Sequence, residues 1–242
     1  MKVNTYSVTL AAFAAVLLVA CSPSTPEPTT SAAAAATALP EAPAPAPIEA
    51  PAGRYEVDRN HATLGFSVSH LGFSNYHGRF TDYSISVLLD PEQISNSSVT
   101  VSIAADSIST DYTGDYKATH QKSPFDSWNE DLAKSEKFFN ADQHTRIEFK
   151  SSKISRAANG DLKIKGELSL LGVTKPLTLT AKLVGSGQHP FRGVGAMGWS
   201  ASGSFMRSEF GMTHLVEPQI VGDEVTLVFD GEFLQQVEAD DS

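Results

Sequence analysis

The 242-residue chain carries 28 acidic and 18 basic side chains, for a net charge of −10, and it has a single cysteine. The acidic balance, with no basic run or basic-aromatic stripe, argues against nucleic acid as a partner. One cysteine excludes an intramolecular disulfide framework, so a folded domain must be stabilised by its own core. Residues 54–236 have the length of one ordinary domain.

The N-terminus has the pattern of a bacterial lipoprotein signal. Lys2 precedes an apolar run, Val8–Ala20, which has the length of a signal-peptide core and is short for a membrane span. The run ends in LVAC, which resembles a lipobox, where the cysteine is diacylated. We therefore expect a signal peptide over residues 1–20 and a lipid anchor at Cys21; a signal peptide with an incidental cysteine is the alternative. Ser22, in place of an acidic residue, favours the outer membrane.

Two segments have compositions that do not suit a folded core. After the cysteine, residues 21–53 are dominated by Pro, Ala, Ser and Thr, which predicts a disordered, semi-rigid linker between the lipid and the domain. Residues 237–242 form a short acidic tail.

Within the domain, apolar side chains alternate with small polar ones, which predicts about eight strands with one apolar face each. The apolar sets are Leu64, Phe66, Val68 and His70; Tyr83, Ile85, Val87 and Leu89; Val99, Val101 and Ile103; Ile147 and Phe149; Leu162, Ile164, Leu168 and Leu170; Leu177, Leu179, Ala181 and Leu183; Met197, Trp199, Ala201 and Phe205; Val225, Leu227, Phe229 and Phe233. The sequence SWNE at 127–130 predicts a capping box that opens one short helix, ending at Lys137.

One helix cannot cover so many apolar strand faces, so closure of the sheet on itself is the economical solution, although alternation alone does not distinguish a barrel from a sandwich. The predicted fold class is all-β: an antiparallel eight-stranded lipocalin-like barrel with one short helix. A barrel of this size is either filled by its own side chains or holds one small ligand.

Several short motifs follow one another along the domain. They are YEVDRNH at 55–61, FSVSHLG at 66–72, GRF at 78–80, SIST at 107–110, FFN at 138–140, IEFKS at 147–151, GELSLLGVTKP at 166–176, RSEFG at 207–211 and VGDEV at 221–225. In this order they resemble the YceI-like polyisoprenoid-binding family across essentially the whole domain. The chain departs from the family at Asp131, where many members carry a histidine, and residues 112–127 are longer than usual.

The resemblance implies an extended barrel that binds an isoprenoid lipid, of polyprenyl phosphate or quinone type, along its interior. It also implies a periplasmic address. We predict non-enzymatic binding, storage or transport of this lipid, with no cofactor. With the lipid anchor, the expected address is the bacterial cell envelope, at the outer membrane. The sequence leaves the oligomeric state open and is compatible with a homodimer.

The expected ligand contacts are the inward apolar positions together with a few residues taken from the motifs. They are Phe66, Val68, His70, Phe80, Phe138, Phe139, Phe149, Leu168, Leu170, Leu179, Trp199, Phe205, Arg207 and Phe229. Phe138 and Phe139, after the helix, are candidate gate residues. Arg207 is the candidate cation for an anionic head group, and Lys175, placed in a hairpin turn, is a weaker one.

Three histidines near the start of the domain, His61, His70 and His77, have several possible roles. A zinc site needs three or four converging ligands, and no local carboxylate or thiolate completes one. Hydrogen-bonding roles at the barrel end are favoured, and contact with a ligand head group is the alternative.

Two other classes of function remain open. Phe66, Phe80, Phe149, Trp199, Phe205 and Phe229 could fill the barrel, which would indicate a partner-binding or stress-related lipoprotein. An isomerase-type enzyme in the lumen is the less favoured reading. Asp58 and His61 could form an acid–base pair, but GWSASG at 198–203 lacks the spacing of a nucleophile elbow. We therefore predict no catalytic residue.

Overall fold

The computed structural model describes residues 47–237, so the expected signal peptide, Cys21 and most of the linker and tail lie outside the described residues. The elements are β1 Gly53–His70, β2 Ser74–Phe80, β3 Tyr83–Leu89, β4 Ser98–Ala104, β5 Ile108–Ser109, α1 Tyr116–Thr119, α2 Trp128–Lys134, β6 Arg146–Arg156, β7 Leu162–Leu170, β8 Val173–Gln188, β9 Gly195–Met206 and β10 Val221–Gln235. Short 3-10 turns occur at Ile94–Asn96, Ala105–Ser107 and Arg207–Phe210. Within these residues no helix has the length and apolar content needed to cross a bilayer.

Eight of the strands form a closed antiparallel barrel, which confirms the predicted fold class. The order is β10, β9, β8, β7, β6, β4, β3 and β1, and β1 pairs back onto β10. Tyr55 lies opposite Gln235 and Val68 opposite Val225 along this seam. The alternating sequence pattern therefore places one face of each strand inside the barrel.

Strand β1 divides the barrel wall into two parts. Residues Gly53–Glu56 pair with β3, whereas Leu64–His70 pair with β2. The other edge of β2 pairs only with β5, at Arg79 and Phe80. The sheet is thus interrupted beside β2, and the segment 105–145, which carries α1 and α2, contacts the strands here.

The end of the barrel where β1 begins is filled by side chains. Tyr55 is completely buried, and Met197 and Phe233 are 2% and 3% exposed. Ile48 and Ala50 belong to the same core, and the Tyr55 hydroxyl donates to the Pro51 carbonyl. The predicted disordered linker therefore extends too far: residues 47–52 pack against the closed end, because Ile48 supplies apolar surface that composition alone did not weigh.

The buried apolar residues of the core lie between Ile48 and Leu234 in the sequence, and every barrel strand is hydrogen-bonded to another strand on both edges. A chain that begins within the linker therefore keeps the complete sheet and core. We expect it to fold without the signal segment.

Helix α2 begins as predicted and ends earlier. The Ser127 hydroxyl accepts from the Glu130 amide at 3.1 Å, while Glu130 accepts from the Asp126 amide, one residue before the usual capping-box position. The helix ends at Lys134, not Lys137, since Ser135 adopts an extended conformation. Helix α1 was not predicted.

Candidate functional site

The open half of the barrel encloses a cavity of about 1610 Å³. This exceeds the roughly 300–1,000 Å³ of typical small-molecule sites. Its deep part is apolar, with Leu64, Val101, Ile103, Ile147, Phe149, Leu168, Leu177, Leu179, Ala201 and Leu227 among the lining residues. The cavity reaches the surface among exposed side chains such as Gln121, Lys122 and Lys137.

All of the predicted ligand-contact residues except Trp199 line this cavity. The thirteen that do are Phe66, Val68, His70, Phe80, Phe138, Phe139, Phe149, Leu168, Leu170, Leu179, Phe205, Arg207 and Phe229. Trp199 does point inward, but it lies in the core of the closed half, opposite Gly231 and Leu183. Its placement in the site was wrong because alternation gives the face of a strand and not the depth along the barrel. The barrel is thus filled in one half only.

One wall of the cavity mouth is an aromatic cluster that the sequence did not predict. We define it as Tyr76, Tyr112, Tyr116, His120 and Trp128. Tyr76 stacks on Tyr112 with ring centroids 4.6 Å apart, and Tyr116 stacks on His120 at 4.5 Å. Trp128 meets Tyr116 edge-on at 4.9 Å. These contacts fix the long 110–128 segment against β2, and all five side chains line the cavity.

The Tyr76 hydroxyl is buried in this wall and makes no hydrogen bond of normal geometry within residues 47–237. Burial raises the pKa of Tyr76 to about 12, although the Thr110 side chain lowers it in part. The Thr110 hydroxyl donates its own hydrogen to Asn129 at 2.9 Å. The Tyr76 phenol therefore remains protonated at neutral pH, buried within this wall.

Asp131 is part of the same wall. It accepts a hydrogen bond of 2.7 Å from the Tyr116 hydroxyl. Burial is the main cause that raises the pKa of Tyr116, and Asp131 adds to it. This hydrogen bond thus fixes helix α1 against α2.

Arg207 lines the cavity, but its guanidinium is held by the protein. It donates to the carbonyl oxygens of Gly222, Met212 and Val221 at 2.8, 2.9 and 3.0 Å. Burial lowers the pKa of Arg207, and the nearby Asp223 charge opposes this shift. Three of the five guanidinium donors are therefore committed to the 211–222 backbone, a role that accounts for this burial without a head group.

The two predicted gate residues have different surroundings. Phe139 packs edge-on against Phe80 at 5.5 Å and against Phe66 at 6.2 Å, so it belongs to the barrel wall. Phe138 is half-buried and meets the His214 ring at 5.7 Å, which links the end of α2 to the 211–220 loop across the mouth. Burial, followed by the charge of Lys137, lowers the pKa of His214.

The structure separates the three early histidines. His70 lines the cavity, whereas His77 is exposed on the outer face opposite Ser67. His61 lies in the β1 bulge between Val57 and Ala62 and pairs with Asp58. His77 therefore does not join His70 at the cavity, because β2 turns the two side chains to opposite faces. Across residues 47–237 no group of three or more His, Cys, Asp or Glu side chains is placed to hold a metal ion.

The remaining candidates lie away from the cavity. Lys175 is part of β8, three residues beyond the Gly172 turn, and does not line the cavity. Asp58 and His61 are joined by a 3.0 Å contact on the bulge and do not line it either. This pair cannot act on a molecule in the lumen.

Comparisons with known proteins agree with this architecture. The sequence profile of the YceI-like domain matches residues 55–233. A UPF0312 protein of Shewanella denitrificans is 33% identical over 182 residues, which cover 74% of this chain and 87% of the relative.

Solved structures share the fold. The Campylobacter jejuni YceI protein has a TM-score of 0.58 at 24% identity, with 70% of this chain and 90% of the other covered. A protein from Saccharophagus degradans, described as a polyisoprenoid binding domain implicated in plant cell wall breakdown, has a TM-score of 0.50 at 13% identity, with 75% and 98% covered. Together with the profile match and the Shewanella relative, these observations show that the chain belongs to the YceI-like domain family.

Proposed function

We propose that the protein binds one isoprenoid lipid, of polyprenyl phosphate or quinone type, in the barrel cavity and stores or transports it without catalysis. The observation that carries this proposal is the apolar cavity of about 1610 Å³, which is blind at one end and reaches the surface at the other. Each 100 Å² of lipid surface moved from water into such a cavity contributes about 2.5 kcal/mol. A long tail is therefore retained with few polar contacts.

The two ends of the cavity give the lipid an orientation. The deep end is bounded by the packed core around Trp199 and Met197, so the apolar tail occupies this end. The mouth carries hydrogen-bonding side chains, including His214 and Ser123, as well as exposed lysines. The head group therefore lies at the mouth.

Relatives and sequence support the ligand class and the address of the protein. The Saccharophagus neighbour, which shares the fold, is described as a polyisoprenoid binding domain. The lipobox-like sequence at Cys21 and the linker after it favour a lipid-anchored periplasmic protein, with the outer membrane as its site. No cofactor is part of the proposal.

Mass spectrometry of organic extracts tests the proposal directly. The chain from residue 22 onward is purified from a bacterial periplasm, extracted, and compared with an Ala201→Trp variant and a Ser204→Trp variant. Ala201 lines the cavity, whereas Ser204 lies exposed on the outer face of the same strand. We expect about one isoprenoid per wild-type barrel, its loss from Ala201→Trp, and its retention in Ser204→Trp.

Thermal unfolding of both variants checks that each is folded, since an added indole inside a barrel can cost about 1–3 kcal/mol. An empty wild-type extract, still empty after incubation with quinones and polyprenyl phosphates, would contradict the proposal. Equal cargo in the two tryptophan variants would place the lipid outside the cavity.

A further inference from the structure

The β1–β2 turn presents two bulky apolar side chains to solvent. Leu71 is 50% exposed and Phe73 is 92% exposed. The residues that flank the turn, His70 and Ser74, both line the cavity. The exposed pair is therefore a direct continuation of the cavity mouth.

The backbone of this turn is strained by its leucine. Leu71 and Gly72 both have positive φ, 53° and 70°, and the Phe73 amide donates to the His70 carbonyl at 3.1 Å. Asn or Gly is the favoured residue where Leu71 stands, because a branched side chain is disfavoured in left-handed backbone.

A second turn at the same end of the barrel also has a leucine in left-handed backbone, and its packing explains why a leucine stands there. Leu171 and Gly172, between β7 and β8, have φ values of 52° and 75°. Leu171, however, packs against the hydrophobic core, whereas Leu71 is half-exposed and is not part of that core. Packing within the described barrel thus accounts for Leu171 and leaves Leu71 unexplained, as expected for a site with an external function.

The charge of this hairpin differs from that of the whole protein. The chain carries 28 acidic residues, yet residues 59–81 include none. The two arginines in this range form ion pairs with residues outside it, Arg59 with Asp82 and Arg79 with Asp111. Residues 59–81 therefore contribute no negative charge that an anionic surface would repel.

The size of the exposed patch decides between two kinds of partner. A stable protein interface buries about 800 Å² on each side, which is more than one turn with two apolar side chains can provide. A few apolar side chains that enter the outer 5–10 Å of a bilayer are sufficient for a reversible membrane contact.

We propose that Leu71–Phe73 inserts into the surface of a phospholipid bilayer and holds the cavity mouth against it. Lipid then passes between bilayer and cavity without crossing water. The transfer step rests on the proposed function, while the docking itself does not require it.

Vesicle co-sedimentation tests the docking. The chain from residue 22 onward, which lacks the Cys21 anchor, is mixed with vesicles of phosphatidylethanolamine and a minority of phosphatidylglycerol. We expect Phe73→Ser to weaken the partition coefficient about tenfold, since the variant lacks the phenylalanine side chain whose transfer from water into the bilayer favours binding. Leu71→Asn should also weaken vesicle binding, while its Tm stays the same or rises because asparagine suits the turn.

Phe191 is the matched control, because it is also 92% exposed but lies in the β8–β9 turn at the closed end. Phe191→Ser should bind vesicles like the wild type. Equal losses in Phe191→Ser and Phe73→Ser, or no binding by the wild type, would overturn the inference. The extracted lipid is measured on the same samples. Cargo without vesicle binding would refute only the docking, and vesicle binding without cargo would refute only the proposed function.

Discussion

At the scale of single residues, Asp58 and Arg207 are the two buried charged side chains of the described chain, and each has polar partners nearby. Arg207 is held by three backbone carbonyls. Asp58 accepts from the Asn60 amide and contacts the His61 imidazole, both at 3.0 Å, with Arg192 at 3.7 Å. Both groups stabilise irregular backbone, the β1 bulge and the 211–222 loop, where ladder hydrogen bonds are interrupted.

Replacing Asp58 tests this role through stability and pH. The hydrogen bond with His61 is the main cause that lowers the pKa of Asp58, although burial opposes the shift. The unfolded carboxylate therefore binds a proton first as pH falls. The stabilisation is present above about pH 4 and is lost as pH falls through the folded pKa. We expect Asp58→Asn to lower the free energy of unfolding by about 1–3 kcal/mol at pH 7 in urea titrations.

The difference between Asp58→Asn and the wild type should narrow as the pH is lowered below about 4. Asp82→Asn is the control, because Asp82 makes an exposed ion pair with Arg59 and should contribute only about 0–1 kcal/mol. An Asp58→Asn protein as stable as the wild type at pH 7 would show that the bulge does not depend on this carboxylate.

At the scale of elements, the sequence predicted the barrel strands because inward and outward side chains differ in polarity with a period of two. Strand β2 was missed since one of its inward positions is Gly78, where a Cβ would lie 2.5 Å from the Phe66 ring. That glycine removes an apolar side chain from the pattern and leaves room for the ring. Helix α1 was missed because four residues carry no periodic signal, and its packing depends on the distant Trp128.

The candidate site also contains residues that the sequence predicted and residues that it missed. Inward apolar residues such as Phe149 and Leu168 could be identified from alternation, and they do line the cavity. The aromatic cluster could not, since it joins β2 to a segment that shows no alternation. Neither could the role of Arg207, because the carbonyls it binds belong to the start of β10 and to the preceding loop, whose backbone path the sequence does not reveal.

Two adjacent phenylalanines after α2 have different surroundings: Phe139 packs in the barrel wall, and Phe138 is the candidate gate. Replacing each by alanine gives a matched pair of variants. Phe138→Ala removes the ring that meets His214 across the mouth, so cargo transfer to acceptor vesicles should become about fivefold faster, as expected for the loss of about 1 kcal/mol of aromatic contact. Phe139→Ala should instead lower the free energy of unfolding by about 2–4 kcal/mol, because its ring packs against Phe80 and Phe66.

Transfer from loaded protein to vesicles is followed by fluorescence of a labelled lipid, and stability by urea titration. If Phe138→Ala releases its cargo at the wild-type rate, the Phe138 ring does not gate the mouth.

At the scale of the whole molecule, the barrel has a filled half and a hollow half. Tyr55, Met197 and Phe233 pack the filled half, where residues of every surrounding strand meet. In the hollow half, the lining side chains face a cavity and lack partner atoms on one side unless cargo is present. The apolar–polar alternation of the sequence could not reveal the filled and hollow halves. The same alternation continues along strands that pass through both.

The division predicts how the protein responds when cargo is removed. Strands β1 and β10 run through both halves, with Phe66 opposite Leu227 in the hollow part and Tyr55 opposite Gln235 in the filled part. Removal of lipid takes contacts only from the hollow part, which lowers the free energy of local opening there. In hydrogen exchange followed by mass spectrometry, amides in 64–70 and 224–229 should exchange about tenfold faster after delipidation, whereas those in 53–57 and 231–235 should change little. Because both sets belong to the same two strands, each strand is its own control. An equal acceleration in both parts would mean that the barrel opens as one cooperative unit, in which the packed end gains its protection from the cargo as well.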